Sequence, residues 1–141
     1  MLDEVTGDYL RTTRGLNALG LGLVGLDRRR EAREAFAQSL DLFVTSGLTG
    51  GEGLLSEALA GIAYATEKPR LDSAAQLLGA VHRLNGEAGL NPGPRHRELE
   101  QFFTQPLIDA LGAEKYASEQ AKGATMGLDD AVELARSLLS S

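Results

Sequence analysis

Apolar positions along this chain recur at steps of three and four, and sustained alternation is absent. Between about Arg29 and Ser46, the residues Ala32, Phe36, Ser39, Leu40 and Phe43 fall on one side of a helix, the stripe of a helix buried along one face. Leu10, Leu16, Leu19, Leu23 and Leu26 supply an apolar face for a first helix running from roughly Asp8 to Leu26. A third helix carries Leu55, Ala58, Leu59, Ile62 and Ala65, and a fourth carries Leu71, Ala74, Leu78, Val81 and Leu84. Leu99, Phe102, Phe103, Leu107 and Leu111 mark a fifth, Tyr116 and Ala117 a short sixth, and Leu128, Ala131, Val132, Ala135 and Leu138 a last one. β-branched residues are few, so the pattern predicts an all-α chain of about seven helices.

Glycine and proline set the boundaries. Gly47 is placed to end the second helix, and Thr49-Gly50-Gly51-Glu52 has the spacing of a capping box. Pro69 fits the first position of the fourth helix and Pro94 restarts the chain after the irregular stretch Glu87 to Pro94. Pro106 falls inside the fifth helix and predicts a kink or break near Gln105. Gly112 closes that segment, and Gly123 or Gly127 separates the last two helices. Asp129 and Asp130 in the first turn of the last helix and Arg136 nearer its end suit the helix dipole. The expected organisation is one domain over residues 1–141, with two hairpins in 1–88 and C-terminal capping helices in 94–141.

In Leu19-Gly20, followed by Ala32 and Phe36, the spacing from glycine to alanine to a large apolar residue resembles the tetratricopeptide repeat. Ala60-Gly61 and Tyr64, followed by Ala74-Ala75, resemble a second copy in looser register. The resemblance implies antiparallel helical hairpins stacked into a short right-handed solenoid. From Gly53 onward, Ala74 to Ala80 ("AAQLLGA"), Pro94 with Arg97, Glu98 and Leu99, Leu111 to Tyr116 ("LGAEKY") and Gly123 to Val132 ("GATMGLDDAV") resemble the C-terminal helical region of large actinobacterial ATP-binding regulators. Those proteins combine a STAND-type ATPase, TPR-like repeats and often a LuxR-type DNA-binding domain. The chain departs from them in lacking a phosphate loop ending in Gly-Lys-Ser/Thr and any identifiable helix-turn-helix. The resemblance therefore implies a cytoplasmic sensing and assembly module of a transcriptional regulator, with no ATPase activity of its own.

Charge and composition narrow the partners. At 141 residues, 43% hydrophobic and 24% charged, the chain is long enough for one sizeable core. A net charge of −6 and a pI near 4.9 leave no broad basic face, so direct nucleic-acid binding is not expected. With no cysteine, disulfides, thiolate metal sites and cysteine nucleophiles are excluded. The most apolar run, Leu16 to Leu26, is about half a bilayer span, so membrane insertion is not expected.

No catalytic residue, metal site or cofactor is nominated. His82 needs an orienting carboxylate to act as a base, and Glu87, five residues on, faces elsewhere, so His82 reads as a boundary residue. His96 and Glu100, four apart on one face, are workable ligand geometry but too common a pair to define a metal site. Arg28, Arg29 and Arg33 offer a grip on an acidic partner or a phosphate, against the simpler account of a solvated helix start. With Tyr64, His82 and Tyr116 they form the candidate partner surface. Gly15, Gly20, Gly22 and Gly25 each cost about 1 kcal/mol in a helix, which close packing of the second helix would offset. The expected activity is non-enzymatic binding of a protein, a peptide or other domains of a parent regulator, with a homodimer through the first helix as a further expectation. The alternative is a small helical ligand carrier or enzyme with a pocket between helices.

Overall fold

The computed structural model describes residues 2–46, 52–87, 89 and 94–140. Among them are seven helices and no strand: α1 (Leu2–Gly25), α2 (Arg29–Ser46), α3 (Glu52–Tyr64), α4 (Leu71–Glu87), α5 (Pro94–Leu111), α6 (Ala113–Gly123) and α7 (Leu128–Leu139). The chain is all-α. The Gly47 stop, the capping box up to Gly51 and most of the stretch between Glu87 and Pro94 lie outside the described residues.

The α1–α2 pair packs on α3, and α4 packs on α3, so the first four helices form two successive hairpins. Helices α6 and α7 then fold back over α4, and α7 also touches α3 and α2. A contiguous apolar core links Leu23 and Val24 of α1, Phe36 and Leu40 of α2, Leu59 and Ile62 of α3, Leu77 and Leu78 of α4, Leu107 of α5, Tyr116 of α6 and Leu138 of α7. Phe36 is completely buried, its ring tip lodged between Gly20 of α1 and Gly61 of α3. A β-carbon at either glycine would stand 2.5 Å (Gly20) or 2.2 Å (Gly61) from Phe36 Cζ, well inside van der Waals contact.

Beside that wedge lies a buried polar contact. Ser39 Oγ donates to Asn17 Oδ1 at 2.7 Å, and Asn17 Nδ2 donates to the Leu54 carbonyl at 3.0 Å, tying α1, α2 and α3 together. Both side chains are buried, so each bond satisfies a group that would otherwise cost free energy to desolvate.

Several expected boundaries shift. Gly20 is the glycine of α1 that meets the second helix; β-carbons at Gly15, Gly22 and Gly25 would touch nothing, so close packing accounts for one of the four. Of the expected α1 stripe, Leu23 belongs to the core while Leu19 and Leu26 face solvent, which divides the surface expected for a homodimer. Pro69 is not the first residue of α4: the helix begins at Leu71, and Pro69 sits in the preceding turn behind a cis peptide bond. Pro106 does not break the fifth helix, which runs from Pro94 to Leu111. Because Pro106 is exposed, water can reach the carbonyl that its missing N–H leaves unpaired. Gly112, with φ of 88°, makes the turn into α6 where a side chain would be strained.

Candidate functional site

Helix α5 has few neighbours in the body, and a cluster of polar and aromatic side chains fixes it there. The Phe103 ring stacks on Tyr64 of α3 with centroids 5.1 Å apart and planes 17° from parallel, and Phe102 meets Phe103 edge-on at 5.4 Å. Glu100, three residues before Phe103 and so on the same side of the helix, pairs with His82 Nε2 of α4. The other imidazole nitrogen, Nδ1, faces Gln120 Nε2 of α6 at 3.4 Å. His82 thus has the orienting carboxylate that its own helix lacks. The sequence spacing sets Glu100 beside His96, whose side chain is outside the described residues; the structure also pairs Glu100 with His82, eighteen residues away on another helix.

Tyr64 and Tyr116 close the cluster from α3 and α6, and both are buried. Burial, reinforced by the negative charge of Glu100, raises the Tyr116 phenol from an ordinary value of 10.0 to about 12. Tyr64 is pushed still higher by burial first, then by Glu100 and Tyr116. Both phenols therefore stay protonated across the neutral range, which makes them packing groups rather than bases. Raising a phenol's pKa on folding stabilises the neutral form, so this stability is complete below pH 10 and is lost as pH rises from about 10 towards 12. An ultraviolet titration of tyrosinate in the Tyr116→Phe variant should lack a transition near pH 12 that the parent chain shows. A parent spectrum complete by pH 11 would contradict the burial of Tyr116.

The arginines are engaged within the chain. Arg28 binds Glu31 through two contacts of 2.8 and 2.5 Å, and Arg29 pairs with Asp27. Arg33, mostly covered, donates to the Ala65 carbonyl at 2.8 Å and lies 3.4 Å from Glu67, so it caps the C-terminal end of α3. That fixes the corner between the hairpins and leaves Arg33 no free charge for an acidic partner. A solvated helix start describes Arg28 and Arg30, but not Arg33.

With α5 so held, its outer side forms one wall of an open cleft of about 640 Å³. Glu98, Gln101, Phe102, Gln105 and Asp109 line this wall at helical spacing, with Phe103 and Pro106 at its base. The opposite wall is the α1–α2 corner: Val24, Gly25, Asp27 and Arg29. Asp27 turns that corner with φ of 61°, in the left-handed region where aspartate is better tolerated than most residues. A smaller cleft of about 240 Å³ adjoins it across Arg29, Phe103 and Pro106, lined also by Tyr64, Thr66, Lys68 and Leu71.

The structure thus brings Tyr64, His82 and Tyr116 together as the support of α5, places Arg29 on the cleft rim, and leaves Arg28 and Arg33 apart from it. Phe102, one of the apolar positions that mark the fifth helix, is the most exposed aromatic residue of the cleft. Among the described residues no group of three or more His, Asp or Glu side chains is arranged to hold a metal ion, and no helix is long and apolar enough to cross a membrane. Comparisons with protein-family models, with curated proteins and with solved structures give no match to this chain.

Proposed function

We propose that the chain is a non-enzymatic interaction module, built from hairpins of the tetratricopeptide type, that takes a segment of another polypeptide into the cleft between α5 and the α1–α2 corner. Phe102 carries this reading: its side chain is 65% exposed on the wall of an open apolar trough, although burying a phenylalanine is worth roughly 1.5–3 kcal/mol. That free energy is available to a partner. The Tyr64–Phe103 stack and the Glu100–His82 pair hold the ring's helix in place beforehand, which lowers the ordering cost of binding. The wedge of Phe36 between Gly20 and Gly61 supports the repeat-like reading of the hairpins. In the setting implied by the sequence resemblance, the module is the cytoplasmic sensing or assembly region of a bacterial regulator of the LuxR or STAND kind.

The test is a photo-crosslinking amino acid installed in place of Phe102, with Ser118 on α6 as the control position. Irradiation in cells should join a polypeptide to position 102 and none to 118, and the adduct should be lost when Gly25→Trp, whose side chain would occupy the cleft from its exposed opposite wall, is added. Equal labelling at both positions, or none at 102, would refute the cleft as the binding surface. Native mass spectrometry of the same chain addresses the alternative: a small molecule released only on denaturation would favour a ligand carrier or enzyme, with the smaller cleft beside Tyr64 as the first place to look for it.

A further inference from the structure

We infer that the segment received by the cleft is cationic and amphipathic, with an apolar stripe flanked by lysine or arginine; this rests on the cleft reading above. The apolar part of the lining is Val24, Phe102, Phe103 and Pro106, but the charged groups around it do not balance. Arg29 is neutralised by Asp27 across the corner, whereas Glu98 and Asp109 are exposed and, among the described residues, in no ion pair. Asp109 accepts a hydrogen bond from Gln105 Nε2 at 2.8 Å, which orients the carboxylate without removing its charge. Glu98 and Asp109 lie eleven residues apart, three turns of α5, so the negative potential extends along the wall.

Between them in sequence lies Phe102. Proline at 106 has no N–H to donate to the carbonyl of Phe102 four residues earlier, so that oxygen lacks its usual intrahelical donor on the helix that lines the cleft. Two exposed carboxylates on one wall of the cleft call for donors and positive charge. The field of the whole chain has the same sign, at −6, and favours the approach of cations. It disfavours the other occupants of an apolar trough: a second copy of this chain, an anionic lipid surface and a nucleic acid all bring negative charge to an acidic rim.

The experiment uses two fluorescein-labelled peptides with the same leucine and phenylalanine stripe, one flanked by lysines and the other with every lysine replaced by glutamate, titrated with the full chain and followed by anisotropy. The lysine peptide should bind at least about tenfold more tightly, and its affinity should fall as salt rises from about 50 to 300 mM. Glu98→Gln with Asp109→Asn should weaken the lysine peptide about fivefold and flatten its salt dependence, leaving the glutamate peptide no weaker. Phe102→Ala should weaken both. If the two peptides bind equally and both lose affinity in Phe102→Ala, the cleft stands and the charge inference is overturned. If neither binds, the cleft reading and this inference fall together.

Discussion

Gly79→Ala should unfold at a temperature lower by roughly 10 °C, a loss of at least about 3 kcal/mol, and Gly123→Ala should do the same. These glycines stand where α4 and α6 cross. A β-carbon on Gly79 would lie 2.0 Å from the Gln120 carbonyl oxygen, and one on Gly123 would lie 1.7 Å from that of Gln76. Each obstruction is backbone, held by its own helix, so no side chain can swing aside. The helices must move apart, and with them the contacts made by Ala75, Leu78 and Tyr116 and the bond from Gln76 Nε2 to Glu119 Oε2 at 2.6 Å. That bond, with the Lys122 contact at 3.0 Å, holds the Glu119 carboxyl below the usual carboxylate range despite its burial. Gly22→Ala is the counterpart: nothing lies within reach of its β-carbon, so the same substitution should stabilise by about 0.5–1 kcal/mol. Thermal melts followed by circular dichroism at 222 nm give both signs in one experiment. A Gly79→Ala melt within about 3 °C of the parent would mean that α4 and α6 do not touch backbone to backbone.

That contrast shows what the sequence could and could not tell. Helix identity was legible, because each buried stripe repeats within one element: Ala32, Phe36 and Leu40 announce the face of α2, and Ala74, Leu78 and Val81 that of α4. Which glycine matters was not, because the reason lies on another helix. Gly20 and Gly22 are two residues apart and chemically identical, yet one meets Phe36 and the other open solvent. The same limit hid the His82–Glu100 pair and the exposure of Phe102. In α5 the apolar residues span more of the circumference than the body covers: Phe103 and Leu107 turn inward, while Leu99 and Phe102 remain exposed. Of the proline signals, Pro69 lies in the turn ahead of the helix it is expected to open, and Pro106 produces no break. Pro106 ends no helix, since its exposed position lets solvent take over the missing bond.

The wedge at Phe36 is where sequence spacing and three-dimensional packing meet, and it carries the second large effect. Phe36→Ala should cost about 3–5 kcal/mol, because a fully buried ring is replaced by a cavity at the junction of three helices. That loss alone would follow for any core phenylalanine. The specific claim concerns Gly20 and Gly61, which approach the same ring tip from opposite helices, so the ring cannot retreat from one without striking the other. Gly61→Ala should therefore cost about 2–3 kcal/mol with Phe36 present, and less than about 1 kcal/mol once Phe36→Leu has shortened the side chain. The difference, measured by urea denaturation of the four chains in a double-mutant cycle, is the coupling between the two hairpins through a single ring. A Gly61→Ala cost that is unchanged by Phe36→Leu would show that the hairpins are not wedged together at this point, and the repeat-like reading would lose its structural support.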